Sequence, residues 1–358
     1  MRKQLFFRQL VLSGIVLSVL GACSRASDET SAIDSALGNI DNGTSNCNGG
    51  ALVSGRPLKI ATTVAPITSI VANISGGTGT KITGIVPEGT NSHTFEPRPS
   101  DAATLENADV IFINGLVLEE PTKELALANL KDGALICEIG AKILPESQYI
   151  YDFSFPKDGG KPNPHLWTNP PMAKQYAEVV RDVLARLSPE YASTFNKNFN
   201  AFAAKIDALD AAMVAATATI PEAKRKLVTY HDAYAYFAVH YGYTVVGALQ
   251  PSSFSEPTPR EIANLITQIK AEGVTAIFGS EVFPSPVLEE IGAEAKVRYI
   301  DVLRDDDLIG EPGGPEHSWL GLMRFDFATM VEALGGDARA LKTLDVSDVV
   351  PDTAVYPQ

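Results

Sequence analysis

Only five histidines occur in the 358 residues, and three of them follow short apolar or β-branched runs. His93 lies in Asn91-Ser92-His93-Thr94-Phe95-Glu96-Pro97, behind a run that ends at Val86. His165 stands in Asn163-Pro164-His165-Leu166-Trp167-Thr168-Asn169-Pro170, and His231 comes directly after Leu227-Val228-Thr229-Tyr230. A carboxylate completes the pattern, because Asp301 directly follows Val297-Arg298-Tyr299-Ile300. Open parallel α/β sheets gather ligands at the carboxyl ends of their strands. Three imidazoles and one carboxylate brought there would give four N/O donors, a set suited to tetrahedral zinc and acceptable to manganese or iron. Any one histidine beside an apolar run is also an ordinary hydrogen-bonded residue, so the weight lies in the joint placement.

Other polar groups carry less. Glu281, after Ala276-Ile277-Phe278, is placed to orient an imidazole or approach a metal, and equally to cap a helix or face solvent. His240 is expected to pack or hydrogen-bond on a helix, and His317, in a Gly- and Pro-rich loop, to be exposed. Asp305-Asp306-Asp307 reads as a solvated acidic turn, since it lacks the Gly and terminal Glu of a calcium loop. Gly76-Gly77-Thr78-Gly79 lacks the spacing of a dinucleotide fingerprint. A zinc-dependent hydrolase is the rival class for these donors, but the chain has no His-Glu-x-x-His motif and no Gly-x-Ser-x-Gly elbow. Four protein donors would also close the shell that catalysis needs open. We therefore expect a binding protein and not an enzyme.

The elements that must position these groups follow an alternating β/α pattern. Strands are predicted at residues 59–64, 82–86, 110–113 and 135–138, then again at 227–230, 244–246, 276–278 and 297–300. Between the two sets, Ser188-Pro189 opens and Ile220-Pro221 closes a helical stretch with Tyr191, Phe195, Phe199, Phe202, Ile206, Leu209 and Met213 at spacings of three or four. It reads as one long helix, or as two shorter ones with a break. The expected architecture is α/β: two similar lobes, each a parallel sheet flanked by helices, joined by one long rigid helix. The lobes span residues 58–187 and 221–358, with the connector at 188–220.

The chain's beginning reads as an export signal. Arg2, Lys3 and Arg8 precede the apolar run Leu10 to Leu20, which passes through Gly21-Ala22 to Cys23. The run is shorter than the roughly 20 residues of a membrane span. This pattern looks like a bacterial lipoprotein signal, with residues 1–22 removed and Cys23 lipidated. Residues 23–57, rich in Ser, Asp, Asn, Gly and Thr, are expected to form a flexible tether. Cys137, in Ala134-Leu135-Ile136-Cys137, reads as a buried core residue, and Cys47 falls within the tether, so no disulfide framework is expected. A formal charge of −14 with no clustered basic stretch excludes nucleic acid as a partner.

Taken together, His93-Thr94-Phe95-Glu96-Pro97-Arg98-Pro99-Ser100-Asp101, Asn114-Gly115-Leu116-Val117-Leu118-Glu119, Pro164-His165-Leu166-Trp167-Thr168-Asn169-Pro170 and His231-Asp232-Ala233-Tyr234-Ala235-Tyr236-Phe237 resemble, in order and spacing, the motifs of the metal receptors of zinc and manganese ABC importers. These are the TroA-like periplasmic binding proteins, and the resemblance runs from residue 58 to about 345. It implies a monomeric extracytoplasmic receptor, in the periplasm or on the outer face of the cell membrane. Such a receptor binds one divalent metal between its lobes and passes it to a membrane permease. Carried over by position, the ligands would be His93, His165, His231 and Asp301. Manganese-preferring relatives commonly place a carboxylate at the third position; His231 there points to zinc, with manganese or iron as the alternative cargo. The stretch Pro145 to Asn163 departs from many zinc-dedicated relatives in holding no histidine. A role as an adhesin, sometimes reported for such lipoproteins, is a minor alternative.

Overall fold

A computed structural model describes residues 47–250, 257–280 and 284–358. Cys23 and Glu281 lie outside the described residues. The first half contains β1 (Lys59–Thr62), α1 (Ala65–Ser75), β2 (Lys81–Gly84), α2 (Asp101–Asn107), β3 (Val110–Ile113), α3 (Glu120–Asn129), β4 (Leu135–Glu138), α4 (Ile139–Ile143) and α5 (Pro170–Leu187). Its strands form one parallel sheet in the order β2-β1-β3-β4. Every residue of β3 is buried, as expected of a strand covered by helices on both faces, and this is why its sequence Val-Ile-Phe-Ile shows no alternation.

The second half repeats the plan with β5 (Lys226–Thr229), α7 (Ala235–Tyr241), β6 (Thr244–Ala248), α8 (Pro259–Glu272), β7 (Ala276–Ser280), α9 (Pro286–Ala295), β8 (Arg298–Leu303), α10 (Trp319–Ala333) and α11 (Arg339–Lys342). Here β5 pairs with β6 and β7 with β8, all in parallel, and β5 runs beside β7. The spatial order β6-β5-β7-β8 therefore matches that of the first lobe. Thr258 and Glu261 form a reciprocal cap at the start of α8, each side chain bonding the other's backbone N–H.

The connector is the helix α6 (Ala192–Ala218), preceded by a separate 3₁₀ turn over Pro189–Tyr191. Phe195, Phe199, Phe202, Ile206, Leu209 and Met213 face inward at helical spacing and pack with α5, α1 and α10. One continuous apolar core runs from Leu58 and Ile60 through Trp167, Phe202 and Trp319 to Leu341. The lobes share packed side chains as well as a linker.

Two expectations about the cysteines change. Cys47 and Cys137 are joined in a disulfide that spans 90 residues of sequence. The end of the stretch expected to be tether is docked on the first lobe: Ala51 N–H donates to Gly133, Val53 N–H to Leu187, and Arg186 to the carbonyl of Cys47. Composition pointed to a free segment, but Cys47 and Val53 supply buried contacts that polar neighbours obscure in the sequence. Among the described residues, no helix is long and apolar enough to cross a membrane.

Candidate metal centre

The loops that leave β2 and β5, and the long loop between α4 and α5, bring three imidazoles to one point. His93 Nε2 lies 3.1 Å from His165 Nε2, which lies 3.3 Å from His231 Nε2. Two nitrogens bound to one tetrahedral ion at about 2.0–2.1 Å sit about 3.3–3.4 Å apart, so the gaps are one ion wide. His165 is wholly buried, and the other two are mostly covered.

His165 is aimed by a neighbour that sequence patterning did not single out. Its Nδ1 meets Asn163 Oδ1 at 2.9 Å, which makes Nδ1 the protonated nitrogen and leaves the Nε2 lone pair toward the other histidines. Asn163, itself buried, donates to the Asp232 carbonyl at 3.0 Å and to Asp152 at 3.2 Å. A strained turn supports the same segment. Gly115, Leu116 and Val117 all have positive φ, at 77°, 54° and 63°, a conformation costly for a β-branched residue. Glu119 holds the turn by accepting hydrogen bonds from Asn114 N, Gly115 N and Thr63 Oγ1. Burial pushes the Glu119 carboxyl up to about 7 despite those donors. Asn114 then donates to the carbonyl of Pro164, next to His165.

Asp301, expected at a strand end, sits inside β8 and is exposed; the carboxylates grouped with a histidine among the described residues are those of Asp305 and Asp306. β8 continues to Leu303 because its pairing with β7 shifts register between Phe278 and Ser280, so the loop that reaches the cleft begins at Arg304. Asp305 Oδ2 lies 2.7 Å from His231 Nε2, and Asp305 and Asp306 both place an oxygen near His165. Hence the acidic triplet is no solvated turn: Ser92 Oγ meets Asp306, and Asp307 is buried, accepting from Gly89 N at 2.9 Å. His317, expected to be exposed, is buried against Glu88. His240 pairs with Asp210 at 2.8 Å, in keeping with a structural role.

Two of the three imidazoles are held in the neutral form that a cation needs. Burial, reinforced by the neighbouring histidines, holds His93 and His165 well below the ordinary imidazole range and so keeps them neutral. Burial works the same way on His231, but the Asp305 carboxylate overrides it and pushes His231 up to about 9. A cavity of about 350 Å³ opens beside His93 and His231, walled by Leu116, Val117, Phe155 and Pro164.

Converging histidine nitrogens between two parallel α/β lobes, with carboxylates to complete the shell and a helix that fixes the lobes, define a metal-binding receptor and not a reaction centre. The family model described as zinc-uptake complex component A, periplasmic (ZnuA) matches residues 60–333, and the chain belongs to that family of periplasmic metal-binding receptors of ABC importers. Curated relatives include the iron-binding protein YfeA of Yersinia pestis, 28% identical over 78% of this chain and 87% of its own. The manganese-binding lipoprotein MntA of Halalkalibacterium halodurans is 28% identical over 84% of this chain and 94% of its own. The solved periplasmic zinc-binding protein TroA of Treponema pallidum superposes with a TM-score of 0.70, covering 78% of this chain and 99% of its own at 27% identity. These relatives are solute-binding proteins, and this chain is not an enzyme.

Proposed function

We propose that the protein captures one divalent transition metal, zinc, with His93, His165, His231 and Asp305, and delivers it to the membrane permease of an ABC importer. The observation that carries this proposal is the convergence of three imidazole Nε2 atoms within 3.3 Å of one another's neighbour, with Asp305 at 2.7 Å from His231. Three nitrogen donors and one carboxylate favour zinc over the harder manganese ion. The relatives' names span iron, manganese and zinc, so the cargo rests on the donor set. Ligands come from both lobes, which makes affinity depend on lobe geometry and gives a permease the means to loosen the ion. Cys23 would carry the lipid that keeps the receptor at the membrane.

The test is elemental analysis of the metal-stripped protein after dialysis against equal, limiting free zinc and manganese. One equivalent of zinc is expected. Retained manganese would overturn the zinc assignment, and retention of neither metal would overturn the receptor itself.

A further inference from the structure

Glu88 contributes no atom to the metal centre, yet it joins the pieces that carry the ligands. It precedes His93 on the loop after β2, and its Oε1 accepts from Leu308 N at 3.0 Å, on the loop that carries Asp305. His317 Nε2 lies 3.2 and 3.1 Å from the two Glu88 oxygens, and the His317 side chain is 0% exposed. The carboxy-terminal strand of chain reaches the same carboxylate. Val355 pairs with β2 through Gly84 N and Ile82 O, Glu88 N donates to Pro357 O at 3.1 Å, and Gln358 Nε2 donates to Glu88 Oε2 at 3.0 Å. The Tyr356 ring meets the His317 ring edge-on with centroids 4.6 Å apart.

A carboxylate this enclosed costs free energy unless its oxygens are satisfied, and three donors from three separate segments satisfy it. Asp307 stands close by, and the two carboxylates repel each other. Contacts across the lobes hold the acidic loop in place against this repulsion: Leu308 N to Glu88, Gly89 N to Asp307, and Ser92 to Asp306. Of these, the Glu88 contact is the one anchored in turn to a buried partner on a third segment, His317, just ahead of α10.

We propose that the Glu88–His317 pair is a positioning device that fixes the acidic loop of the second lobe against the His93 loop of the first before metal arrives. Asp305 then stands at binding distance in the empty receptor, and the ion enters a formed shell. This proposal rests on the metal-receptor function above. Loss of the pair therefore acts on how Asp305 engages the ion and how long the ion stays, with the three histidines still in place.

The experiment compares the parent protein with Glu88→Ala, His317→Ala and His317→Gln, using cobalt(II) for its visible spectrum and zinc for its release into a chelator. Cobalt absorption reports the coordination shell, so loss of Asp305 changes the spectrum even in a protein that stays folded. Removing partners outside the ligand set is expected to speed zinc release by about 10-fold or more in Glu88→Ala and His317→Ala, whereas His317→Gln, which keeps one amide donor, stays within about 2-fold of the parent. Parental spectra and release rates in folded Glu88→Ala and His317→Ala would overturn the proposal and leave the pair as interface packing. If Glu88→Ala does not fold, the two His317 variants decide: equal behaviour of Ala and Gln overturns it. A parent that binds neither cobalt nor zinc overturns the receptor function, and this proposal with it.

Discussion

His231 and Asp305 face each other at 2.7 Å, from Nε2 to Oδ2, at the point where His165 Nε2 also arrives, 3.3 Å from the same nitrogen. The two form an ion pair in which the carboxylate outweighs burial and favours the charged imidazole. In the proposed site a metal ion would displace the His231 proton and bind both partners. Each lobe thus presents its donors in a different state, with His93 and His165 neutral and lone pairs ready, and His231 guarded by its acid.

Asp305→Ala is expected to weaken zinc binding by about 10-fold or more, since it removes a charged donor and leaves His231 without its partner. Asp301→Ala, on an exposed strand position, is expected to leave affinity unchanged. Competition titration with a zinc chelator measures both. Equal losses in the two variants would return the fourth position to Asp301.

Asn163→Ala removes the acceptor that sets the His165 tautomer and frees the ring to rotate. Zinc affinity is expected to fall by about 10- to 100-fold, the usual effect of removing a hydrogen-bond partner of a metal-bound histidine. Calorimetric titration of the folded variant checks this, and parental affinity would show that burial alone orients His165.

Much of this was legible in the sequence. The eight strands appear where β-branched runs predict them, and the three histidines meet because each follows a strand or its long loop. The failures share a cause, which is that tertiary contacts are invisible to local pattern. Asp301, expected at a strand end, lies inside β8, which runs on to Leu303 past a register shift between Phe278 and Ser280. Asp305 to Asp307 and His317 look like surface residues in composition, but the facing lobe buries Asp307 and His317 and half-buries Asp305 and Asp306, an approach that no local signal encodes. Asn163 was within reach, for a side-chain acceptor two residues before a ligand histidine is a recognisable aiming device.

The Cys47–Cys137 disulfide closes a loop of 90 residues, for which the chain-entropy account gives an upper bound of about 4–5 kcal/mol. Cys47→Ser should lower the melting temperature under oxidising conditions and make the protein insensitive to added reductant. Zinc affinity of the folded variant should hold, because the bond lies at the outer strand β4 and not at the histidines. Reductant that leaves the parent's melting temperature unchanged would show that the docked segment is held by Arg186 and its backbone contacts instead.

Acid stability should depend on Asp109. Its carboxylate accepts from Arg56 Nη1 and Nη2 at 2.7 and 2.8 Å, from Lys131 Nζ at 2.7 Å and from Lys59 N at 2.9 Å. Burial opposes its charge, but the two cations and the backbone donor outweigh burial and hold it well below the ordinary carboxylate range. A carboxyl depressed in the folded state stabilises the fold above its unfolded pKa of about 3.9, and this contribution fades as pH falls through the folded value. Asp109→Asn should therefore destabilise by about 1–2 kcal/mol at pH 7, because it removes the charge that Arg56, Lys131 and Lys59 N bond, while both cations keep access to water. The gap between variant and parent should narrow as the pH is lowered below about 4, where the parent's own advantage titrates away. Denaturant unfolding at pH 7 and pH 3 measures the two gaps. A gap that stays constant across that range would mean that shape and packing at Asp109, and not its charge, tie the Arg56 segment to the sheet.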